Sequence, residues 1–195
     1  MEIKNAEFYI SVGNAKGLKD FGLDEIAFVG RSNAGKSSLI NAITGKRKLA
    51  VTSSLPGRTR LINYFKINDE FFFVDLPGYG YARASKVDQA KWQQLIETYL
   101  ENAKHLKCAF VLMDVRHLPS ELDKMMLKYL YYKQIPFKVL ATKADKLSRA
   151  QYTKQVGLIA NALNLGKDDV IAVSADKKIN LDMILTNIDA FMEVK

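Results

Sequence analysis

The chain has 195 residues, of which 48% are hydrophobic and 26% charged, proportions that suit one folded α/β domain and exclude a disordered or fibrous chain. A single cysteine excludes an internal disulfide, and one cysteine with two histidines gives no zinc-binding spacing. Its 29 basic against 21 acidic residues leave a net charge of +8, a balance suited to polyanionic partners.

The opening MEIKNAEFYI lacks the basic start and apolar stretch of a signal peptide, and no apolar run nears the roughly 18 residues a membrane span needs. A cytoplasmic monomer is expected. Residues 1–23 read as an N-terminal extension, and 24–195 as the core of a single domain.

Strand candidates of β-branched and aromatic residues fall at 25–29, 61–67, 70–75, 107–114, 137–141 and 170–173. Helix-period stretches alternate with them, which predicts a three-layer α/β domain: a mostly parallel six-stranded sheet with helices on both faces. The first strand runs into GRSNAGKSS, residues 30–38, which matches the phosphate-binding pattern G-x-x-x-x-G-K-[ST]. Gly30 and Gly35 allow a tight backbone path, so that the N–H groups of Arg31, Ser32, Asn33, Ala34 and their neighbours can face phosphate oxygens. Lys36 reaches the β- and γ-phosphates, Ser37 offers its hydroxyl to Mg²⁺, and Ser38 completes the lining.

Residues 26–68 contain no acid but eight cations, Arg31, Lys36, Lys46, Arg47, Lys48, Arg58, Arg60 and Lys66. That window is either a solvated basic surface or a face for a polyanion. Within it, 46–60 is a polar stretch containing Pro56 and Gly57, for which mobility is expected. Asn68 and Asp69 are turn residues, so the second and third strands should form an antiparallel hairpin.

The hairpin leads into FFFVDLPGYG, with Asp75 at the strand end. An Asp after apolar residues is usually a strand-end turn. Here it follows Lys36 by 39 residues, the spacing expected of a metal-side carboxylate when a helix, a loop and a hairpin intervene, and Gly78 then brings a backbone N–H near the γ-phosphate.

Ser85 with Asp88 suggests a capping box before Trp92, Leu95, Ile96, Tyr99 and Leu100. Cys108 reads as a buried strand residue. Ser120 with Asp123, then Ser148, then Asn180 should open three further helices whose apolar stripes are core.

The fifth strand is followed by Thr142, Lys143 and Asp145. A carboxylate accepts from two N–H groups, and guanine presents N1–H beside its 2-amino group whereas adenine does not. Asp145 is therefore the expected guanine selector, with the Lys143 stem over the base. Ser174 and Ala175, after the last strand, would bring a backbone N–H to the guanine carbonyl.

In combination, GRSNAGKSSLIN, SSLPGRTRLINYF, DLPGYGYA, DVRHLPS and ATKADK resemble the EngB (YihA/YsxC) family of ribosome-assembly GTPases along nearly the whole chain. The resemblance implies GTP binding, slow hydrolysis to GDP and a Mg²⁺ cofactor. It also implies ribosomal particles as partners, through large-subunit rRNA and proteins, with links to cell division and septation. In Pro56-Gly57-Arg58-Thr59, Thr59 would be the switch threonine closing on Mg²⁺ and the γ-phosphate, so that Lys36, Thr59 and Gly78 carry catalysis and Ser37, Thr59 and Asp75 surround the metal. Thr142 stands where most GTPases have Asn.

Two features depart from common patterns. Many family members have Gly soon after the last-strand Ser-Ala, whereas here Asp176 to Asn180 contain none. Tyr79 follows DLPG where Ras-like enzymes carry a water-orienting glutamine, so hydrolysis needs another device. Asn33 is a candidate K⁺ ligand by resemblance to potassium-responsive GTPases, or simply a residue that tightens the loop. A P-loop ATPase or nucleotide kinase, and a nucleotide-independent RNA-binding module, are the competing readings.

Overall fold

The computed structural model describes residues 1–51, 61–80 and 86–193, with the side chains at 86–89 and 92 also outside the description. The Pro56, Gly57, Arg58 and Thr59 switch, Ser85, and the Asp88 and Trp92 side chains therefore lie outside the described residues.

A seven-stranded sheet runs in the order β1-β3-β4-β2-β5-β6-β7. All six strands expected from the sequence are present as β2 (Asp24–Gly30), β3 (Ile62–Ile67), β4 (Phe71–Asp75), β5 (Leu106–Asp114), β6 (Phe137–Thr142) and β7 (Val170–Ala172). β4, β2, β5, β6 and β7 pair in parallel, and β3 pairs antiparallel to β4. The hairpin turn takes the expected form, with Asn68 at φ 50 and Asp69 at φ 59.

The seventh strand, β1 (Ala6–Val12), comes from the leading residues and pairs antiparallel with β3 at the sheet edge. Periodicity hides it because only its ends are buried, while Phe8 remains 54% exposed and the register shifts between Phe8 and Ile10. What holds it is the hairpin turn: Asn68 Oδ1 accepts from the backbone N–H groups of Lys4 and Asn5, and its amide donates to the Glu2 carbonyl. Tyr9 then packs on Phe21 and Phe72 at ring-centroid distances of 5.3 and 5.0 Å.

Alternation along the strands divides the core in two. Ile26 and Phe28, Phe71 and Phe73, and Cys108, Phe110 and Leu112 face α1 (Lys36–Ile43) and α5 (Leu181–Glu193). Ala27 and Val29, Phe72 and Val74, and Ala109, Val111 and Met113 face α2 (Lys86–Asn102), α3 (Glu121–Tyr132) and α4 (Arg149–Leu163). Cys108 is a buried core thiol, as expected, and burial raises its pKa. Capping boxes at Ser120 with Asp123 and at Ser148 with Gln151 start α3 and α4. Among the described residues, no helix is long and apolar enough to cross a membrane.

Five parallel strands thus deliver their carboxyl ends to one edge. β2 opens into residues 31–35, β4 ends at Asp75, β5 at Asp114 and β6 at Thr142, while Ser174 lies just beyond β7. Loops at such an edge can vary without disturbing the core beneath.

Candidate functional site

The P-loop is built by close approach. A Cβ on Gly30 would lie 2.6 Å from the Leu112 carbonyl oxygen, so only glycine lets β2 turn beside β5 there. Gly35 holds φ +93 and precedes α1 without a side-chain cap, which leaves the helix's first N–H groups to another acceptor. Asn33 also takes a left-handed conformation, φ 64, on the exposed side of the loop.

Thr142 ties this loop to the sheet. Its hydroxyl lies 2.8 Å from the Ala34 carbonyl and 3.0 Å from that of Met113, so its one proton is donated to either across the β5–β6 seam. A threonine thus supplies a direct bond to the P-loop at this position.

Lys36 and Asp75 are both inside the protein, at 8% and 1% exposure. Burial lowers the lysine pKa and raises that of the carboxyl, and the attraction between them only partly offsets this in each case. The pair is therefore under-solvated, and a polyphosphate with a cation would supply the missing charge. Ser37 Oγ donates to Asp75 Oδ2 at 3.2 Å, while Oδ1 is buried without a partner. A hard cation carrying water fits that donor set, two oxygens side by side with one unsatisfied. Among the described residues, no group of three or more His, Cys, Asp and Glu could hold a metal, so remaining ligands would come from phosphate, water or the threonine switch.

The segment after Asp75 is stitched to the P-loop by its backbone. Ser32 N–H donates to the Tyr79 carbonyl at 3.0 Å, and Tyr79 N–H to that of Gly30 at 3.3 Å. Gly78 permits the contact, since a Cβ there would meet the Cα and N of Ser32 at 2.9 Å. Tyr79 donates its phenol proton to Asp123 Oδ1 at 2.8 Å, and burial and that carboxylate keep it un-ionised. The link joins the DLPG segment to the capping-box partner of Ser120 in α3; sequence reading takes Tyr79 as the residue in the glutamine's place and Asp123 as a helix cap, and nothing local to either shows that they meet.

At the far end, Asp145 Oδ1 accepts from Ser174 Oγ at 2.6 Å and Oδ2 from Lys146 at 2.9 Å. These two bonds hold Asp145 below the usual carboxylate range. The Ser174 loop closes through paired backbone bonds with Ile179 at 3.1 and 3.0 Å. Lys178 and Asn180 take φ 53 and 54 there, conformations usually supplied by glycine. The Asn180 amide secures the turn by donating to the Ala172 carbonyl.

Between these parts lies a cavity of about 730 Å³, lined by Gly35, Ser38, Thr142, Lys143, Asp145 and Ala175 together with Lys46, Arg47, Lys146 and Lys178. Arg31, Ser32, Asn33 and Ala34 line a separate cavity of about 230 Å³, and Lys143 borders both. Asn41 was not singled out by sequence. It is buried in α1, where its side chain accepts from Ala50 N–H and donates to the carbonyls of Ala50 and Arg47, pinning the chain that leads to the 46–60 stretch. A polar residue within the LINAI run is the signal that could have found it.

The acid-free window is less uniformly superficial than its charge suggests. Lys36 is taken into the core and Lys66 pairs with Asp69, while Arg31, Lys46, Arg47 and Lys48 are exposed. Arg58 and Arg60 lie outside the described residues.

A family described as 50S ribosome-binding GTPase matches residues 25–143. The probable GTP-binding protein EngB of Clostridium acetobutylicum is 48% identical over 96% of this chain and 94% of its own length. Its counterpart in Desulforamulus reducens is 46% identical over 98% of this chain and 95% of its own length. A crystal structure of a probable GTP-binding protein engB superposes with a TM-score of 0.73 at 24% identity, covering 88% of this chain and all of that one. With this agreement spanning nearly the whole sequence and the G-domain fold alike, the chain belongs to the EngB family of GTP-binding proteins.

Proposed function

We propose that this protein binds GTP at the carboxyl edge of its sheet as one nucleotide-binding unit, hydrolyses it slowly to GDP and phosphate, and uses the cycle as a switch in large-ribosomal-subunit assembly. Asp145 carries the reading: a carboxylate fixed by Ser174 on the wall of a 730 Å³ cavity whose other end is the P-loop. The guanine edge donates to it, displacing the half-exposed Lys146 ammonium. The Lys143 stem covers the base, and Ser174 and Ala175 address the guanine carbonyl. A P-loop ATPase is disfavoured because adenine has no paired donors to offer Asp145. An excess of ATP is expected to leave bound fluorescent GDP in place while GTP displaces it; displacement by both would remove the assignment.

The residues 30–38 loop surrounds the phosphates, and Lys36 neutralises their β–γ region from within the core. Ser37 and Asp75 would hold Mg²⁺, with Thr59 joining by family resemblance, and the ion would supply positive charge beside the phosphates. Gly78 directs its N–H to the γ-phosphate when the DLPG segment is docked. Family membership supports a cytoplasmic monomer acting on ribosomal particles, with links to cell division and septation.

Lys46, Arg47, Lys48 and Arg58 are assigned to the ribosomal contact. Neutralising all four is expected to weaken sedimentation with ribosomal particles at least tenfold and to lower the slope of log affinity against log salt by about 3. The wild type should co-sediment most strongly with a non-hydrolysable GTP analogue, less with GDP. Unchanged affinity and slope in the quadruple variant would make the basic stretch a solubilising surface and return weight to other docking faces.

Asn33 is assigned as a ligand that would hold K⁺ beside the phosphates, where the cation would supply positive charge during hydrolysis. Exchanging Na⁺ for K⁺ at fixed ionic strength is expected to raise GTP turnover several-fold. Asn33→Ala should abolish the difference, and so should Asn33→Gly, which keeps the left-handed backbone at φ 64 and isolates the side chain's contribution. Equal turnover in both salts, with and without ribosomal particles, would leave Asn33 as a turn residue only.

A further inference from the structure

Asp114 belongs to none of the phosphate or guanine motifs, yet it stands at the carboxyl end of β5 directly beside Thr142 of β6. Both of its oxygens are engaged. Oδ1 accepts from the backbone N–H and Nε of Arg116 at 3.1 and 2.9 Å. Oδ2 accepts from Arg116 Nη2 at 2.6 Å and lies 3.1 Å from Lys143 Nζ. The guanidinium therefore clamps the carboxylate in one plane and turns Oδ2 toward the lysine. Partial burial pushes the Asp114 pKa up, but the bonds from Arg116 and Lys143 outweigh it and hold the group well below the usual carboxylate range.

Lys143 needs such an anchor. Its backbone is left-handed, φ 60 and ψ 33, and no side-chain cap hydrogen bond fixes the short turn it precedes. Four rotatable side-chain bonds would otherwise leave the stem free over the cavity mouth. Among the described residues, Lys143 alone borders both the 730 Å³ cavity and the 230 Å³ cavity beside residues 31–34, and so stands between them.

We infer that Asp114 is a positioning residue for nucleotide retention: by holding the Lys143 ammonium at the P-loop edge, it sets the lysine stem as a wall of the nucleotide cavity before nucleotide enters. The inference rests on the reading of that cavity as the guanine-nucleotide site. Pre-ordering the side chain removes an entropy cost that binding would otherwise bear, and the gain falls on dissociation of GTP and GDP alike.

The test is the dissociation rate of a fluorescent GDP analogue chased with unlabelled GDP. Asp114→Asn keeps the shape and still accepts from Arg116, but loses the charge that holds Lys143; release is expected to be about 3- to 10-fold faster. Lys143→Met keeps most of the stem and removes the tethered charge, so it should match Asp114→Asn, and the double variant should be no faster than either alone. Single-turnover hydrolysis at saturating GTP should stay within about twofold of wild type in Asp114→Asn. Multiplying effects in the double variant, or wild-type release in Asp114→Asn beside fast release in Lys143→Met, would overturn the inference and leave Asp114 as a strand-end brace for Arg116. Lys143→Ala, which removes the stem itself, separates the underlying reading: if it leaves GDP release unchanged, Lys143 does not cover the base and the site assignment fails first.

Discussion

Asp145→Asn is expected to lower GTP affinity by about 100- to 1,000-fold and to create affinity for XTP, because the substitution reverses the polarity of one half of the base-reading edge. In the proposed complex the carboxylate accepts from both N1–H and the 2-amino group. An amide in its place still accepts from N1–H, but its NH₂ meets the guanine amino group donor to donor, whereas xanthine offers a 2-oxo acceptor there. Ser174 should keep the new side chain in register, since its 2.6 Å bond is donated to Oδ1, an oxygen that asparagine retains. Lys146, 2.9 Å from Oδ2, loses its counter-charge and is released toward solvent. Competition binding with GTP, XTP and ATP checks the result, and equal losses for GTP and XTP would show that Asp145 does not read the base. The same geometry fixes a pH dependence. Asp145 is held below its ordinary range by Ser174 and Lys146, so its ionised form persists above that range and is lost only as pH falls through the lowered value. Wild-type GTP affinity should therefore be flat between about pH 5 and 8 in this respect.

The parts legible in the sequence are those whose chemistry is local. A phosphate loop needs glycines at fixed offsets and a lysine, and those constraints leave a contiguous pattern that 30–38 displays in full. The six strands β2 to β7 are similarly exposed by composition, because burial on both faces demands apolar runs such as 108–113. β1 lacked such a mark: this edge strand buries only its ends, unlike β7 at the other edge, and its partner is selected by Asn68, more than fifty residues away in sequence. Tyr79 with Asp123, Asn41 with Ala50, and Asp114 with Lys143 are pairings between elements. Each residue alone has an ordinary explanation as core, turn or cap, and only the topology that brings β4, α1 and β5 to one edge converts it into part of a site. Lys36 makes the converse point, since counting charges places it on a basic face while the fold buries it beside Asp75.

Gly78→Ala is expected to reduce single-turnover GTP hydrolysis by about 100-fold or more while leaving GDP affinity within several-fold of wild type. Glycine is required there for closeness: the added methyl would sit 2.9 Å from both Cα and N of Ser32 and 3.3 Å from the Arg31 carbonyl carbon. All three are backbone atoms, so no rotamer change relieves the clash, and the DLPG segment must lift from the P-loop. Lifting it breaks the Ser32 N–H bond to the Tyr79 carbonyl and the Tyr79 N–H bond to Gly30, and draws the phenol from Asp123. The Gly78 N–H then no longer reaches a γ-phosphate, whereas GDP presents none and loses little. Overpacking should also cost about 1–3 kcal/mol of stability, read as a lower melting temperature in the nucleotide-free protein. Gly80→Ala is the control. Its methyl would approach the Leu122 side chain at 3.1 Å and the Arg31 Nε at 3.4 Å, groups that can swing aside. What remains is the left-handed strain of φ +73, about 1 kcal/mol. Hydrolysis in Gly80→Ala should therefore stay within a few-fold of wild type. Wild-type hydrolysis in Gly78→Ala would mean that docking of DLPG on Ser32 is dispensable for the reaction. Loss of GDP binding together with hydrolysis would assign Gly78 to folding of the P-loop instead of to the γ-phosphate.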